Sequence, residues 1–154
     1  MQQAQDSQNV HLLHHNIEFP VVSPNELHEV WPKVRQGLEK VAKFGDAWIP
    51  EDVYTCVKAG TAYLHLIYDG EDYLGFLVTT PVQDFQGSTL HVWAIYSEGQ
   101  NQEAHEAVFA QLDEWAMNMN ANRITFHSPR KGWERVGEQY GFKPTQTIFE
   151  KKVN

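Results

Sequence analysis

Apolar positions along the chain change their spacing several times, and each change predicts a new structural element. Residues 16–22 (NIEFPVV) are typical of a first strand. Residues 23–42 then place apolar side chains every three or four positions, as one face of a helix does. A second helix is predicted to begin near residue 49, with Pro50 early in it and Gly60 as its stop.

The first helix carries both a start signal and an interruption. Ser23, followed by Pro24 and by Glu26, is typical of a helix N-terminus, so we expect Ser23 to be the N-cap. Pro32 lies inside the apolar pattern and removes a backbone hydrogen bond. We therefore expect Pro32 to split or kink this helix.

The remaining pattern predicts a hairpin, a third strand beside it, and then an alternation of helices and strands. The hairpin spans residues 61–80 with Asp69-Gly70 in its turn, and residues 88–96 form the next strand. A helix, a strand, a short helix and a closing strand over residues 145–153 follow. The order β-α-α-β-β-β-α-β-α-β predicts an α/β (α+β) fold, a mixed central sheet with helices on both faces.

Length and charge narrow the classes of protein to consider. A chain of 154 residues suits one domain, which we expect over residues 11–154, after a Gln-rich disordered tail over residues 1–10. The formal charge of −8 argues against nucleic acid or an anionic membrane as a partner and favours a cationic one. With one cysteine, no signal peptide and no apolar run of membrane length, we expect a soluble, cytoplasmic protein.

The element order resembles that of the GNAT N-acetyltransferase superfamily over roughly residues 16–153. The pair Gly141-Phe142 matches the glycine-phenylalanine pair with which this family ends its last helix. The apolar pattern of the family's central helix is matched by Val108, Phe109, Leu112 and Ala116. The stretch PRKGWERVGEQYGF is similar to the ending of short GNAT-like proteins of bacteriophages.

The resemblance implies an acetyl-CoA site in a V-shaped opening between the strand ending near Tyr96 and the strand beginning near Arg123. The pyrophosphate would lie on backbone amides at the start of the central helix, where a helix favours an anion. The cofactor-binding positions that the resemblance implies are Ile95, Tyr96, Gln100, Asn101, Gln102, Glu103, Ala104, His105 and Arg130.

Two of these positions depart from the family's pattern for the pyrophosphate. The family has Gln or Arg, then glycine three residues on, then glycine or alanine, and only Gln100 matches. Glu103 adds bulk and negative charge where phosphate would touch the backbone, and His105 fills the second small position. The more common role of Glu103, with Glu106, is that of an ordinary first-turn acid that favours the positive end of the helix dipole. We therefore expect acetyl-CoA to bind weakly or not at all.

The catalytic positions are also incomplete. The family's tyrosine acid falls at Gly137, which leaves Tyr140, three residues further along, as a candidate acid or as a core aromatic. A general base would take a proton from the substrate ammonium, and His91 is the first candidate, ahead of His65 and His127. Each histidine lies among apolar residues and could instead be a satisfied sheet residue. No metal site is predicted, because His14-His15 lack fixed ligand geometry.

Two hypotheses about function follow. The first is a GNAT-fold protein of phage type with a degenerate pyrophosphate site, which acts by binding a protein partner, as a virion component or a modulator of a host protein. The second is an active acetyl-CoA-dependent N-acyltransferase that acts on a cationic amine or on a protein lysine or N-terminus. The oligomeric state does not follow from the sequence.

Overall fold

A computed structural model describes residues 16–45, 47–99, 101–128 and 130–154. The predicted N-terminal tail lies outside these residues. The helices and strands of the described part are β1 Ile17–Glu18, α1 Leu27–Ala42, α2 Pro50–Ala59, β2 Tyr63–Asp69, β3 Asp72–Asp84, β4 Gly87–Ser97, α3 Gln102–Asn118, β5 Arg123–Phe126 and α4 Gly132–Gln139. None of these helices is both long and apolar enough to cross a bilayer.

The strands form one mixed sheet in the order β1-β2-β3-β4-β5. Strands β1 to β4 pair antiparallel in sequence order, and β5 joins β4 in parallel after the α3 crossover. The predicted hairpin turn is confirmed, since Asp69 pairs with Asp72 and Gly70 adopts φ +60°, a conformation that favours glycine.

Each face of the sheet has its own apolar core. Leu64, Phe76 and Val78 pack with α1 and α2 on one face. On the other face, Leu77 and Val92 pack with α3, and side chains of α4 add to that cluster. The predicted mixed sheet with helices on both faces is therefore confirmed, and alternate residues of β3 serve the two cores, as the strand's period of two requires.

The predicted start of α1 is wrong by about one turn. The helix begins at Leu27, and Ser23 lies before a tight turn in which its carbonyl accepts a hydrogen bond from the Glu26 amide at 2.9 Å. Pro32 does not split α1, which runs unbroken to Ala42. Pro32 lies near the start of the helix, where few backbone hydrogen bonds precede it. The one hydrogen bond that Pro32 removes therefore does not interrupt the helix.

The end of α4 is built as the sequence predicts. Gly141 adopts φ +86°, the Phe142 amide donates to the Gly137 carbonyl at 2.8 Å, and the Gly141 amide donates to Glu138 at 3.1 Å. These two bonds form a Schellman ending, which requires a left-handed residue at the glycine position.

The predicted closing strand does not form. Residues 145–153 are exposed throughout and pair with no strand of the sheet. The sequence pattern identifies a segment with strand propensity, but a strand also requires an edge to pair with, and local propensity does not supply one.

Candidate functional site

Strands β4 and β5 part halfway along β4. Their ladder joins only Thr89–Val92 to Arg123–Phe126, and residues 93–97 of β4 continue without a β5 partner. At the same point β4 has a β-bulge against β3. Successive residues of β3, Val78 and Thr79, pair with Ala94 and Val92. Trp93 between these two is therefore the extra residue of the bulge. The sheet therefore opens where the sequence predicts an opening.

On the α3 face, the opening leads into a narrow apolar cavity of about 30 Å³. Ile95 from β4, Ala104 and His105 from the start of α3, and Trp133 and Val136 from α4 contribute to its lining. A space of this size holds a few small molecules such as water and no extended chain. Side chains of α4 therefore help to enclose this cavity.

The start of α3 satisfies its own backbone amides. The Asn101 side chain is the N-cap, and its Oδ1 accepts a hydrogen bond from the Ala104 amide at 3.1 Å. The Asn101 carbonyl accepts from the His105 amide at 3.1 Å. The side chains of Gln102, Glu103 and His105 are exposed around this first turn. Gln100 lies outside the described residues.

Tyr140 lies against the same turn. Its ring stacks on Phe109 with centroids 4.1 Å apart, and Gln102 Nε2 donates to its hydroxyl at 3.5 Å. The predicted acid is thus half-buried, with its hydroxyl directed at the start of α3.

Gly137, the position at which the resemblance implies a tyrosine, lies in a tightly packed part of α4. A Cβ added to Gly137 would lie 3.3 Å from Phe142 Cβ, which is a close contact, and 3.8 Å from Phe126 Cζ, which is an ordinary one. The rings of Phe126 and Phe142 also contact each other, with centroids 5.1 Å apart.

Tyr96 marks the other side of the opening. Its ring lies 5.4 Å from that of Phe76, and its hydroxyl accepts a hydrogen bond from Lys40 Nζ at 3.3 Å. The close packing of these two rings against α1 depends on Gly37, since a Cβ at that position would lie 2.5 Å from both rings.

His91 belongs to the opposite face of the sheet from the cavity. Its neighbours Leu90 and Val92 pack in the α3 core, so the side chain between them points the other way. His91 Nδ1 and the Thr125 hydroxyl share a hydrogen bond at 2.9 Å, and the His127 ring lies 4.8 Å away. Burial lowers the pKa of His91, and the charge of His127 lowers it further. His91 is therefore neutral near pH 7 and able to accept a proton.

His65, by contrast, is a satisfied core residue. Its Nδ1 lies 3.1 Å from the Phe19 carbonyl oxygen, and its ring lies 4.1 Å from that of Trp115. Burial lowers the pKa of His65, and the bond to Phe19 partly opposes that shift.

Arg130, in the loop between β5 and α4, contacts the loop after α1. Its guanidinium lies 4.4 Å from the ring centroid of Phe44, in the loop after α1. Sequence reasoning missed Phe44, Thr125 and Trp133 as residues of this region. Thr125 could have been found from the strand period, since it lies two residues from His127, whereas the contact of Phe44 depends on the fold. The described residues hold no group of three or more His, Cys, Asp or Glu that could bind a metal.

Solved structures with the same architecture are acetyltransferases. A ribosomal-protein-alanine N-acetyltransferase from Brucella melitensis biovar Abortus 2308 superposes with a TM-score of 0.67 at 14% identity, over 90% of this chain and 99% of that one. The aminoglycoside N-acetyltransferase AAC(6')-Iy in complex with CoA gives 0.65 at 14% identity, over 89% and 94%. An aminoglycoside acetyltransferase from an uncultured soil metagenomic sample gives 0.65 at 10% identity, over 91% and 98%.

Neither the protein-family models nor the curated proteins include a match to this sequence. Identities this low show a shared fold and no shared activity. The strand order, the parted β4 and β5 and these superpositions together identify the fold of the chain as that of the GNAT acetyltransferases.

Proposed function

We propose that this chain is a GNAT-fold protein with a degenerate acetyl-CoA pyrophosphate site, and that it acts by binding. The observation that carries the proposal is the start of α3. The Ala104 amide already donates a hydrogen bond to the Asn101 side chain, and Glu103 adds a carboxylate to the same turn. A pyrophosphate on this turn would have to displace a cap that stabilises the helix by about 1 kcal/mol.

The charge of Glu103 adds to that cost. Two like unit charges 4 Å apart repel by about 1 kcal/mol in water and by about 4 kcal/mol near a protein surface. Repulsion of this size weakens binding by roughly fivefold at the lower figure and by several hundredfold at the higher one. The residues at the start of α3 therefore do not fit the pyrophosphate in the manner of the family.

The cavity supports the same proposal. Its volume of about 30 Å³, with Trp133 and Val136 in its lining, is small for an extended pantetheine arm. Glycine stands at the position of the family's acid, Gly137, and Phe142 packs closely against it. The ending PRKGWERVGEQYGF favours a role of phage type, as a virion component or a modulator of a host protein, and a net charge of −8 favours a partner with a basic surface.

Calorimetric titration with acetyl-CoA at moderate salt tests the proposal. We expect no binding up to millimolar acetyl-CoA, and micromolar binding would overturn it. Glu103→Gly with His105→Gly should create measurable binding, because the changes remove the carboxylate and open both positions. Glu114→Gly is the control, since it removes the same charge near the other end of α3 and should leave binding unchanged.

One observation favours the second candidate, an acetyl-CoA-dependent N-acyltransferase acting on a cationic amine. His91 is neutral, hydrogen-bonded to Thr125 and adjacent to the point where β4 and β5 part. It could accept a proton from an ammonium drawn to the acidic chain. Structures of similar fold are complexed with the aminoglycoside sisomicin or with a bisubstrate analogue of CoA and neamine. Acetyl transfer to an aminoglycoside or to a lysine peptide, lost in His91→Gln and retained in His65→Gln, would establish this reading.

A further inference from the structure

We propose that a groove between α1 and α2 binds a small organic cation that carries a quaternary ammonium group. Among the described residues that line this groove, none also lines the cavity at the opening between β4 and β5. The inference therefore concerns a second binding site, and it holds whether or not acetyl-CoA binds.

The groove lies on the solvent side of the two helices and has a volume of about 470 Å³, within the usual range for small-molecule sites. Its lining consists of three residues from each helix: His28, Trp31 and Pro32 of α1, and Glu51, Tyr54 and Thr55 of α2. Spacings of three and four residues place the side chains of each set on one face of their helix. One ring from each helix and one carboxylate are thereby brought together.

Trp31 and Tyr54 form a corner of two aromatic rings. Their centroids lie 4.8 Å apart and their planes are inclined at 75°. Both residues pack against the core that α1 and α2 share with the sheet, and both also line the groove. The face of an aromatic ring attracts a cation, and two inclined rings offer such faces on two sides of one ammonium group. Aromatic walls of this kind recognise quaternary ammonium ligands in proteins.

Glu51 supplies negative charge beside this corner. Arg35 donates to Glu51 Oε1 from Nε at 3.0 Å and from Nη2 at 2.8 Å, so the second carboxylate oxygen receives no bond from Arg35. Arg35 also pairs with Glu39. One guanidinium is thus shared by two carboxylates, and these three side chains together keep one negative charge. The hydrogen bond from Arg35 also lowers the pKa of Glu51, so its carboxylate stays ionised.

The lysines of the two helices are directed away from Glu51. Lys33 donates to the Tyr68 hydroxyl at 3.0 Å. Lys58 donates to the Pro24 carbonyl at 3.0 Å. The carboxylate therefore remains available to an external cation, which the acidic chain as a whole attracts.

The walls of the groove favour a short free ligand over a modified side chain of another protein. Both walls are helices, whose backbone groups bond to one another, so a peptide would find few main-chain partners there. His28 and Thr55 add polar side chains to the same lining, and these suit a hydroxyl group close to the ammonium. Choline combines the two groups and is the simplest probe of the site.

Titration of the full chain with choline at constant ionic strength, followed by NMR of the tryptophan indole signals, tests the proposal. We expect a saturable shift of the Trp31 signal, which the variant Trp31→Phe identifies by its loss. The uncharged analogue of choline, in which a carbon atom replaces the nitrogen, has the same shape. It should bind about fivefold more weakly, because it lacks the attraction of a cation to the two rings.

Two variants and their matched controls locate the site. Tyr54→Leu removes one wall and should lower the affinity for choline about fivefold, whereas Tyr63→Leu, at a tyrosine outside the groove, should not. Glu51→Gln leaves Arg35 with one carboxylate and should lower the affinity roughly two- to fivefold. Glu29→Gln removes the same charge from an exposed position outside the groove and should have no effect. Glu51 is exposed, so its variant keeps the fold even if Tyr54→Leu does not.

Each of four outcomes would overturn the proposal. The first is the absence of a saturable shift with choline, and the second is equal binding of the uncharged analogue, which would make the groove merely apolar. The third is choline binding that is insensitive to Glu51→Gln and to Tyr54→Leu. The fourth is tighter binding of an amide-capped trimethyllysine than of choline, which would assign the groove to a methylated side chain of another protein.

Discussion

Replacing Gly37 by alanine tests how closely α1 presses on the strand that borders the opening. Gly37 lies in the middle of α1, against the ring of the fully buried Phe76 and the ring of Tyr96. An alanine Cβ would lie 2.5 Å from Phe76 Cε1 and 2.5 Å from Tyr96 Cδ1, which is shorter than any ordinary carbon contact. Phe76 is enclosed, so Tyr96 or the helix itself has to move.

The expected change in the free energy of unfolding is the sum of two opposing effects. Overpacking a core costs about 1–3 kcal/mol. Alanine in a helix interior returns about 1 kcal/mol relative to glycine. We therefore expect Gly37→Ala to lower the free energy of unfolding by roughly 1 kcal/mol, and Tm by about 2–4 °C, in a domain of this size.

A second helical glycine supplies the control. Gly132 begins α4, and a Cβ there would meet nothing within 4 Å. Gly132→Ala should therefore be neutral or stabilising by up to about 1 kcal/mol. Urea unfolding followed by circular dichroism compares the two variants with the parent chain. If Gly37→Ala is as stable as the parent, α1 does not press on Phe76 and Tyr96 and the reasoning fails.

Three further changes test other parts of the structure. Asn101→Ala should cost about 1 kcal/mol because it removes the cap on the Ala104 amide, whereas Asn101→Asp, which keeps an acceptor, should not; urea midpoints compare them. Burial lowers the pKa of His91, so the folded chain favours the neutral imidazole. The contribution of this group to stability is complete above pH 6.5 and is lost as pH falls from there through the lower folded-state pKa. His91→Gln should therefore flatten the decline of stability below pH 6.5, measured by urea unfolding across pH. Gly141→Ala, at φ +86° in open space, should lower the free energy of unfolding by about 1 kcal/mol through backbone strain alone, which thermal unfolding would record as a lower Tm.

Most of the fold could be predicted because its signals are local. The Asp69-Gly70 turn, the end of α2 at Gly60 and the end of α4 at Gly141 each depend on a glycine that adopts positive φ. A glycine of this kind determines the backbone conformation around it, so its position in the sequence is sufficient to predict the turn or the helix end. The residue at which α1 begins is not determined by such a local signal. Ser23 has the residue type of a cap, but a separate turn comes between it and Leu27.

The candidate site could be predicted only in part, because its contacts join residues far apart in the sequence. Strand period and helix register placed Tyr96, Asn101 and Glu103 in the right elements. The bond between His91 and Thr125 and the contact of Arg130 with Phe44 depend on how β5 and the loop after α1 meet. Likewise, residues 145–153 have the composition of a strand, and no local pattern says which edge they would join.

The two sides of the opening differ in how they are supported, and this difference bears on the proposed function. On the β4 side, α1 holds Tyr96 through Gly37 and Lys40. The β5 side is a four-residue strand that, among the described strands, pairs with β4 alone. Acetyl-CoA should therefore be titrated into both the parent chain and the variant that carries Glu103→Gly with His105→Gly. Binding by the variant alone would mean that the start of α3 prevents binding in the parent chain. The absence of binding in both would mean that opening the start of α3 is not sufficient, because the β5 side of the opening does not hold the cofactor either.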